Sequence, residues 1–373
     1  MGKSLEYGEK IVTLRDMEMF QRHIIPSTAT VRNAIEGLDR LSGDTRTLIV
    51  TDGEDRPTGT VTDGDIRRAL IRGVGLDDNV GEAMNRPFRS VTRGNVDIAF
   101  IRDIRNAGIG LLPVIDEAGK LVRIVDLRKV DSLLPLSALI MAGGKGERLR
   151  PMTLTTPKPL LTIEGKAIID YNIEALARVG VDEVAVSTAY LAEQLDEHFS
   201  KPVAGISVRT IREEQPRGTI GALADVLPML TNDTVLVMNS DLLTDIALDE
   251  MYIRHRQEEA DITVAAIPYT VSVPYAILST EGSRITSLRE KPTYSLYANG
   301  GIYMISRKAA AMVPSDRRYD ATDLIDAALA RGLKVVYFPI NGTWIDVGTP
   351  ADFRHAADIM KYHGGKHRPT ADC

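Results

Sequence analysis

Leu139-Ile140-Met141 runs into Ala142-Gly143-Gly144-Lys145-Gly146-Glu147-Arg148, and Lys158 follows within Pro157-Lys158-Pro159-Leu160-Leu161. An apolar strand feeding a glycine loop lets consecutive N–H groups converge on phosphate oxygens, because glycine accepts positive φ and close backbone approach. The spacing excludes two familiar phosphate loops. A Walker loop closes with Gly-Lys-Ser/Thr and the dinucleotide fingerprint reads Gly-x-Gly-x-x-Gly, whereas Gly146 is followed by Glu147 and Arg148. The expected chemistry is binding of a nucleoside triphosphate by Met141, Ala142, Gly143, Gly144 and Gly146, with Arg148 and Lys158 meeting the phosphate charge.

Written as G-G-x-G-x-R-L-x-P-x-T with P-K-P-L-L a few residues on, this stretch resembles the signature of the sugar-phosphate nucleotidyltransferases. The resemblance covers roughly residues 137–355. It implies that Asp241, at the end of the apolar run Thr234–Met238, binds magnesium near the α-phosphate. It also implies a second magnesium ligand, Asp346, within Trp344-Ile345-Asp346-Val347-Gly348-Thr349-Pro350. Magnesium takes one or two carboxylates plus substrate phosphates and waters, so two aspartates suffice, and the six histidines show no metal-ligand spacing. Arg148, Lys158 and Asp241 are the catalytic candidates.

The same resemblance assigns the sugar phosphate to Glu290 and Lys291 in Arg289-Glu290-Lys291-Pro292, and to Asn299 and Gly300 in Asn299-Gly300-Gly301-Ile302-Tyr303. Ala276, after Tyr275, departs from the glycine common in relatives and leaves the sugar open. Arg212 to Leu223 resembles the nucleobase segment, with Glu213, Gly218 and Thr219 as candidates and Arg217 where leucine is common. A carboxylate only accepts, and guanine offers adjacent donors at N1 and N2, so Glu213 favours guanine. Gln215 keeps a pyrimidine reading open.

The elements that position these groups alternate apolar strands with amphipathic helices, which predicts an α/β fold with a Rossmann-like, mostly parallel sheet. Strands are expected at Leu139–Met141, Asp182–Thr188, Ile206–Arg212 and Thr234–Met238. Helices are expected over Ile168–Val179, stopped by Gly180, over Leu191–Phe199 and from about Thr219. Such sheets bind ligands at the carboxyl ends of their strands, where the glycine loop and Asp241 should meet.

A break near Leu133-Leu134-Pro135-Leu136 divides residues 1–135 from a catalytic domain at 136–373. The first part repeats at an offset of about 63 residues. Thr47–Val50, a turn and Gly59–Asp63 correspond to Leu111–Ile115, a turn and Leu121–Asp126, each copy preceded by a helical pattern such as Val31, Ala34, Ile35 and Leu38. The repeats, about 12–73 and 80–133, resemble a tandem pair of CBS domains. The resemblance implies a ribose site at Thr62 and Asp65 of the first copy; Val125 and Arg128 break the motif in the second. An α/β CBS pair ahead of the transferase resembles enzymes supplying GDP-activated amino sugars or heptoses for surface glycans, the glucosamine-1-phosphate guanylyltransferases among them.

Composition bounds the rest. A 44% hydrophobic fraction over 373 residues can bury two or three cores. A net charge of -6 offers no general surface for nucleic acid, and no apolar run reaches the roughly 18 residues of a membrane span. The lone Cys373 precludes an internal disulfide, and a cytoplasmic location is expected. The expected reaction is Mg2+-dependent transfer of a nucleoside monophosphate, GTP favoured, to a sugar 1-phosphate. Its expected partners are those substrates, a purine-nucleotide regulator at the CBS pair and further copies of the chain. The alternatives are a uridylyl- or thymidylyltransferase and a non-catalytic nucleotide-sensing subunit.

Overall fold

The computed structural model describes residues 21–41, 44–93 and 96–363. The start of the first repeat at residue 12 and the tail carrying Cys373 lie outside the described residues. The chain divides into two compact units, Met1–Pro135 with Ala177–Val181, and Leu136–Leu176 with Asp182–Cys373.

In the first unit, β1 (Ile24–Pro26), α1 (Val31–Arg40), β2 (Thr47–Thr51), β3 (Pro57–Thr62) and α2 (Asp63–Ile71) form one repeat. The second comprises β4 (Val91–Thr92), α3 (Ile98–Asn106), β5 (Leu111–Ile115) and β6 (Leu121–Asp126). The two three-stranded sheets share one plan, β1-β2-β3 and β4-β5-β6, each with a parallel first pair and an antiparallel second. Helix α1 buries Val31, Ala34 and Leu38 against Leu48, Val50 and Val61, while Ile35, expected on that face, is 38% exposed at its edge. Ile49, Leu111 and Ile124 pack together from both repeats, covering apolar surface that neither copy hides alone.

The second unit begins with β7 (Ser137–Ala142), a short hairpin β8 (Thr162–Ile163) and β9 (Lys166–Ala167), and α4 (Ile168–Arg178), which Gly180 terminates at φ 76°. There follow β10 (Val184–Thr188), α5 (Ala192–His198), β11 (Val208–Arg212), α6 (Leu223–Val226), β12 (Thr234–Asn239), β13 (Leu242–Thr244) and α7 (Leu248–Gln257). The helix expected from Thr219 is only the short α6. Gly218 takes a left-handed φ of 84°, and the helix passes into a 3-10 turn over Leu227–Met229, where Pro228 has no N–H to donate. The chain closes with β14 (Ile262–Ser272), β15 (Ile277–Glu281), β16 (Arg284–Arg289), β17 (Thr293–Ser306), α8 (Arg307–Ala310), α9 (Ala321–Ala330), β18 (Val335–Pro339), β19 (Trp344–Asp346) and α10 (Pro350–His363).

Seven strands form the sheet in the order β11-β10-β7-β12-β17-β14-β18, with β17 alone running against the others. Strands β7, β10 and β12 are almost wholly buried, as near-continuous apolar runs in a covered parallel sheet must be. One polar group inside this unit gives a test of the packing. His255 of α7 is 3% exposed, its Nδ1 lies 2.8 Å from Thr263 Oγ1, and burial first, then the Arg256 charge, push its pKa down from 6.5 to about 4 despite the opposing Asp261. The unfolded chain therefore takes up a proton first. Stability should be full above about pH 6.5 and fall by about 3 kcal/mol as pH drops through 6.5 to 4, since one unit corresponds to about 1.4 kcal/mol. Denaturant titrations at several pH values check this, and His255→Asn should flatten the slope in that window.

Candidate functional site

Strand β7 lies between β10 and β12, both parallel to it, so Met141 stands beside Ser187 on one side and Asn239 on the other. The chain first builds outward through β10 and β11 and then crosses to β12, which makes the carboxyl end of β7 a switch point with an open crevice. The Ser240 N–H donates to Met141 O at 3.1 Å, stitching the two strand ends together. Ala142 is buried, Gly143 half-buried and Gly144 exposed.

The glycine loop is held from below. Gly146 has φ 61°, and Thr153, fully buried, donates from Oγ1 to Gly146 O at 2.8 Å. The Tyr190 hydroxyl in turn donates to Thr153 O at 3.0 Å, and Gln194 Nε2 to Thr155 O at 2.8 Å. Leu149 is fully buried among Leu161, Ile163, Ile168, Ile345 and Val347, which fixes the neighbouring Arg148 at the surface. A Cβ built on Gly348 would stand 3.2 Å from Arg148 Nη2, so the guanidinium lies against the backbone just after Asp346.

Asp241 and Asp346 meet through the antiparallel pair β13–β19, where Leu242 faces Asp346 and the Val347 N–H donates to Asp241 O at 3.0 Å. Lys158 Nζ donates to Asp241 Oδ2 and lies 3.8 Å from Asp346 Oδ1. Burial, and then the charge of Asp241, raise the pKa of Asp346 above the usual carboxylate range against the opposing pull of Lys158 and Arg148. Asp241 Oδ1 and Asp346 Oδ1 are both buried without a hydrogen-bond partner. Two converging carboxylates with unspent oxygens suit a hard divalent cation such as magnesium, the remaining positions falling to phosphates and water. No group of three or more His, Cys, Asp or Glu side chains able to hold a metal occurs among the described residues.

The sugar-side candidates divide. Gly300 is buried, its carbonyl accepts from Trp344 Nε1 at 2.9 Å, and Asn299 Oδ1 accepts from the Gly301 N–H at 2.9 Å. Gly301, at φ 72°, abuts the Asn239 amide, so this irregular stretch of β17 lies beside the end of β12. Glu290 and Lys291 instead follow the exposed β15–β16 hairpin, and both are exposed. Of the base candidates, Glu213 is 8% exposed; its Oε2 accepts from the Arg217 N–H at 3.0 Å, and its Oε1 would stand 3.2 Å from a Cβ on Gly143. Gly218 and Thr219 are docked on the protein itself: the Thr219 N–H donates to Asp320 Oδ1 at 2.8 Å and its Oγ1 accepts from the Ala321 N–H at 2.9 Å.

In the first unit, Thr62 and Asp65 form the capping box of α2. Asp65 Oδ2 accepts from the Thr62 hydroxyl at 2.6 Å and N–H at 2.9 Å, and Oδ1 accepts from Arg68 at 2.5 Å. Both carboxylate oxygens are engaged locally.

Sequence reasoning gave no role to Thr153, Tyr190 or Trp344, which support the loop and the Asn299–Gly301 stretch. Thr153 closes the glycine-loop signature and Trp344 flanks Asp346, whereas Tyr190 belongs to no motif.

The Nucleotidyl transferase family profile matches residues 137–362, and the CBS domain profile matches residues 11–72. A mannose-1-phosphate guanylyltransferase of Mycobacterium tuberculosis is 32% identical over 61% of the chain, which spans 65% of that relative. A D-glycero-alpha-D-manno-heptose 1-phosphate guanylyltransferase of Aneurinibacillus thermoaerophilus is 29% identical over 61% of the chain and is spanned completely. Among solved structures, HddC from Yersinia pseudotuberculosis aligns with TM-score 0.48 at 24% identity over 60% of this chain and 99% of its own.

A Gly146→Ala substitution tests the loop support. It places a side chain at φ 61° and a methyl 3.0 Å from Thr153 and 3.1 Å from Lys158 Cβ. The expected loss is about 1 kcal/mol or more of stability, measured by denaturant unfolding. A neutral substitution would mean that the loop does not need this conformation.

Proposed function

The chain belongs to the nucleotidyl transferase family, and on that premise we propose that it transfers a guanylyl group from GTP to a sugar 1-phosphate and releases pyrophosphate. The observation that carries this reading is the gathering of Arg148, Lys158, Asp241 and Asp346 beside the glycine loop from four separate stretches of chain. An oxygen of the sugar phosphate forms the new bond to the α-phosphorus as the bond to the pyrophosphate oxygen breaks. Such a displacement depends on in-line positioning and charge neutralisation rather than covalent help from protein. The attacking phosphate is anionic near neutral pH, so no base need remove a proton.

In this scheme Arg148 and Lys158 bind the triphosphate and the charge that develops on it, and the N–H groups of Gly143 to Gly146 cradle its oxygens. Asp241 and Asp346 would hold magnesium, which when bound neutralises and aligns the two phosphates. Lys158 occupies Asp241 Oδ2 and leaves Oδ1 open.

Glu213 supports guanine, because a buried carboxylate can only accept and guanine presents donors. With Oε2 taken by Arg217, one strong acceptor, Oε1, remains for the base edge. The two curated relatives named above are guanylyltransferases by name, acting on mannose and heptose 1-phosphates; glucosamine 1-phosphate joins them as a candidate through the CBS-linked resemblance. Asn299 and Gly300 are the sugar-side residues best supported, and Glu290 and Lys291, exposed between β16 and β17, are assigned to the sugar phosphate by the resemblance alone. For the CBS pair, a purine nucleotide whose ribose binds Asp65 must displace Arg68 or Thr62 from it.

Three measurements test these assignments. A grid of nucleoside triphosphates against mannose, heptose and glucosamine 1-phosphates should release pyrophosphate fastest with GTP, and no release from any pair would end the catalytic reading. Asp241→Asn and Asp346→Asn should each lower kcat by about 10²- to 10³-fold while the fold persists, as measured by circular dichroism. Calorimetry of the full chain with AMP should show heat that Asp65→Ala removes, and the same substitution should cost about 1 kcal/mol through the lost cap. Equal heats in both proteins would leave Asp65 a helix cap alone.

A further inference from the structure

Arg217 is the node of the segment that carries Glu213. Its N–H donates to Glu213 Oε2 at 3.0 Å, and its carbonyl accepts from the Tyr319 N–H at 2.9 Å. Its guanidinium pairs with Asp225 of α6 and donates to Ser315 O at 2.8 Å. The side chain is only 15% exposed. Gly221 beneath it leaves no room for a side chain, since a Cβ there would stand 2.6 Å from Arg217 Cβ and 2.3 Å from Arg217 O. The next residues repeat the attachment, with a Cβ on Gly218 placed 2.6 Å from Tyr319 O and Thr219 bonded to Asp320 and Ala321.

Residues 315–321 therefore act as a strap that fixes the backbone of Arg217, and that backbone fixes one oxygen of Glu213. The carboxylate cannot turn without leaving the Arg217 N–H or its own Oε2 unpaired, which is costly for a buried group. Oε1 is left facing the glycine loop at Gly143. A planar guanidinium suits this anchor because it serves a carboxylate and a carbonyl at the same time, which a lysine ammonium does less rigidly.

We infer that Arg217 is a specificity-determining positioning residue, resting on the guanylyl reading above: anchored to Asp225 and Ser315, it presents a single oxygen of Glu213 to the donor edge of the incoming base. It does not touch the nucleotide. Its influence on base choice passes through Glu213.

The test is steady-state kinetics of the full chain with GTP, UTP and dTTP for Arg217→Leu and, as a milder disruption, Asp225→Asn, each also made in a Glu213→Gln background. Both are expected to raise KM for GTP about tenfold, to leave kcat within about threefold, and to shrink the GTP:dTTP preference about tenfold. In the Glu213→Gln background, where the reader is already altered, the same substitutions should move the ranking less than about twofold. Arg217→Lys should fall between. The inference is overturned if the variants lower thermal stability with the nucleotide ranking unchanged, or if the ranking moves equally in both backgrounds. Should the unsubstituted protein favour UTP or dTTP, the guanylyl reading is what fails. The coupling of Arg217 to Glu213 is then judged on KM for the favoured nucleotide.

Discussion

Two aspartates held side by side in a half-buried setting repel each other, and the Lys158 ammonium lies within reach of both. Asp241 is bound directly and Asp346 at 3.8 Å, yet the pKa of Asp346 stays raised, so one lysine offsets only part of the burial and repulsion. Arg148 adds a second cation beside Asp346, yet one oxygen of each carboxylate is left without a hydrogen-bond partner. In the proposed reading a divalent cation would fill this place, with Arg148 and the loop amides left for the triphosphate.

The sheet supplies the precision this requires. Strands β7 and β12 are locked in register with their ends bonded through Ser240, so the glycine loop and Asp241 cannot drift apart without breaking the centre of the sheet. The small pair β13–β19 then carries Asp346 to the same rim. Arg148 and Lys158 stand on short turns in the connection that leaves β7, Asp241 on the link between β12 and β13, and Asp346 at the end of β19, so strand ends and the connections they anchor bring the charges together.

Much of this was readable in the chain because phosphate chemistry restricts residue types. Gly146 is left-handed, Arg148 and Lys158 are the cations beside the carboxylates, and the parallel core strands fall within a few residues of their expected ends. What was not legible depends on distant partners. Nothing local tells that Thr153 is fully buried beneath Gly146 or that Tyr190 bonds to its carbonyl. The helix expected from about Thr219 begins only at Leu223, after the left-handed Gly218, and Ile35 proved peripheral although its spacing matched the buried face. Asp65, read as a ligand acceptor, has its oxygens engaged within its own helix, because the same Thr-x-x-Asp spacing that suits a ribose also suits a capping box.

The order in which the site's parts leave the ribosome follows from β19. The glycine loop, Lys158 and Asp241 all emerge before it, and a nascent chain that has reached α9 already has most of the sheet's strands. Such a chain still lacks the partner strand of β13, the Trp344 bond to Gly300 and the second carboxylate. In it Lys158 faces one aspartate instead of two. The pair of carboxylates proposed to hold magnesium is therefore complete only once the last strand of the unit has formed, however early the glycine loop is in place.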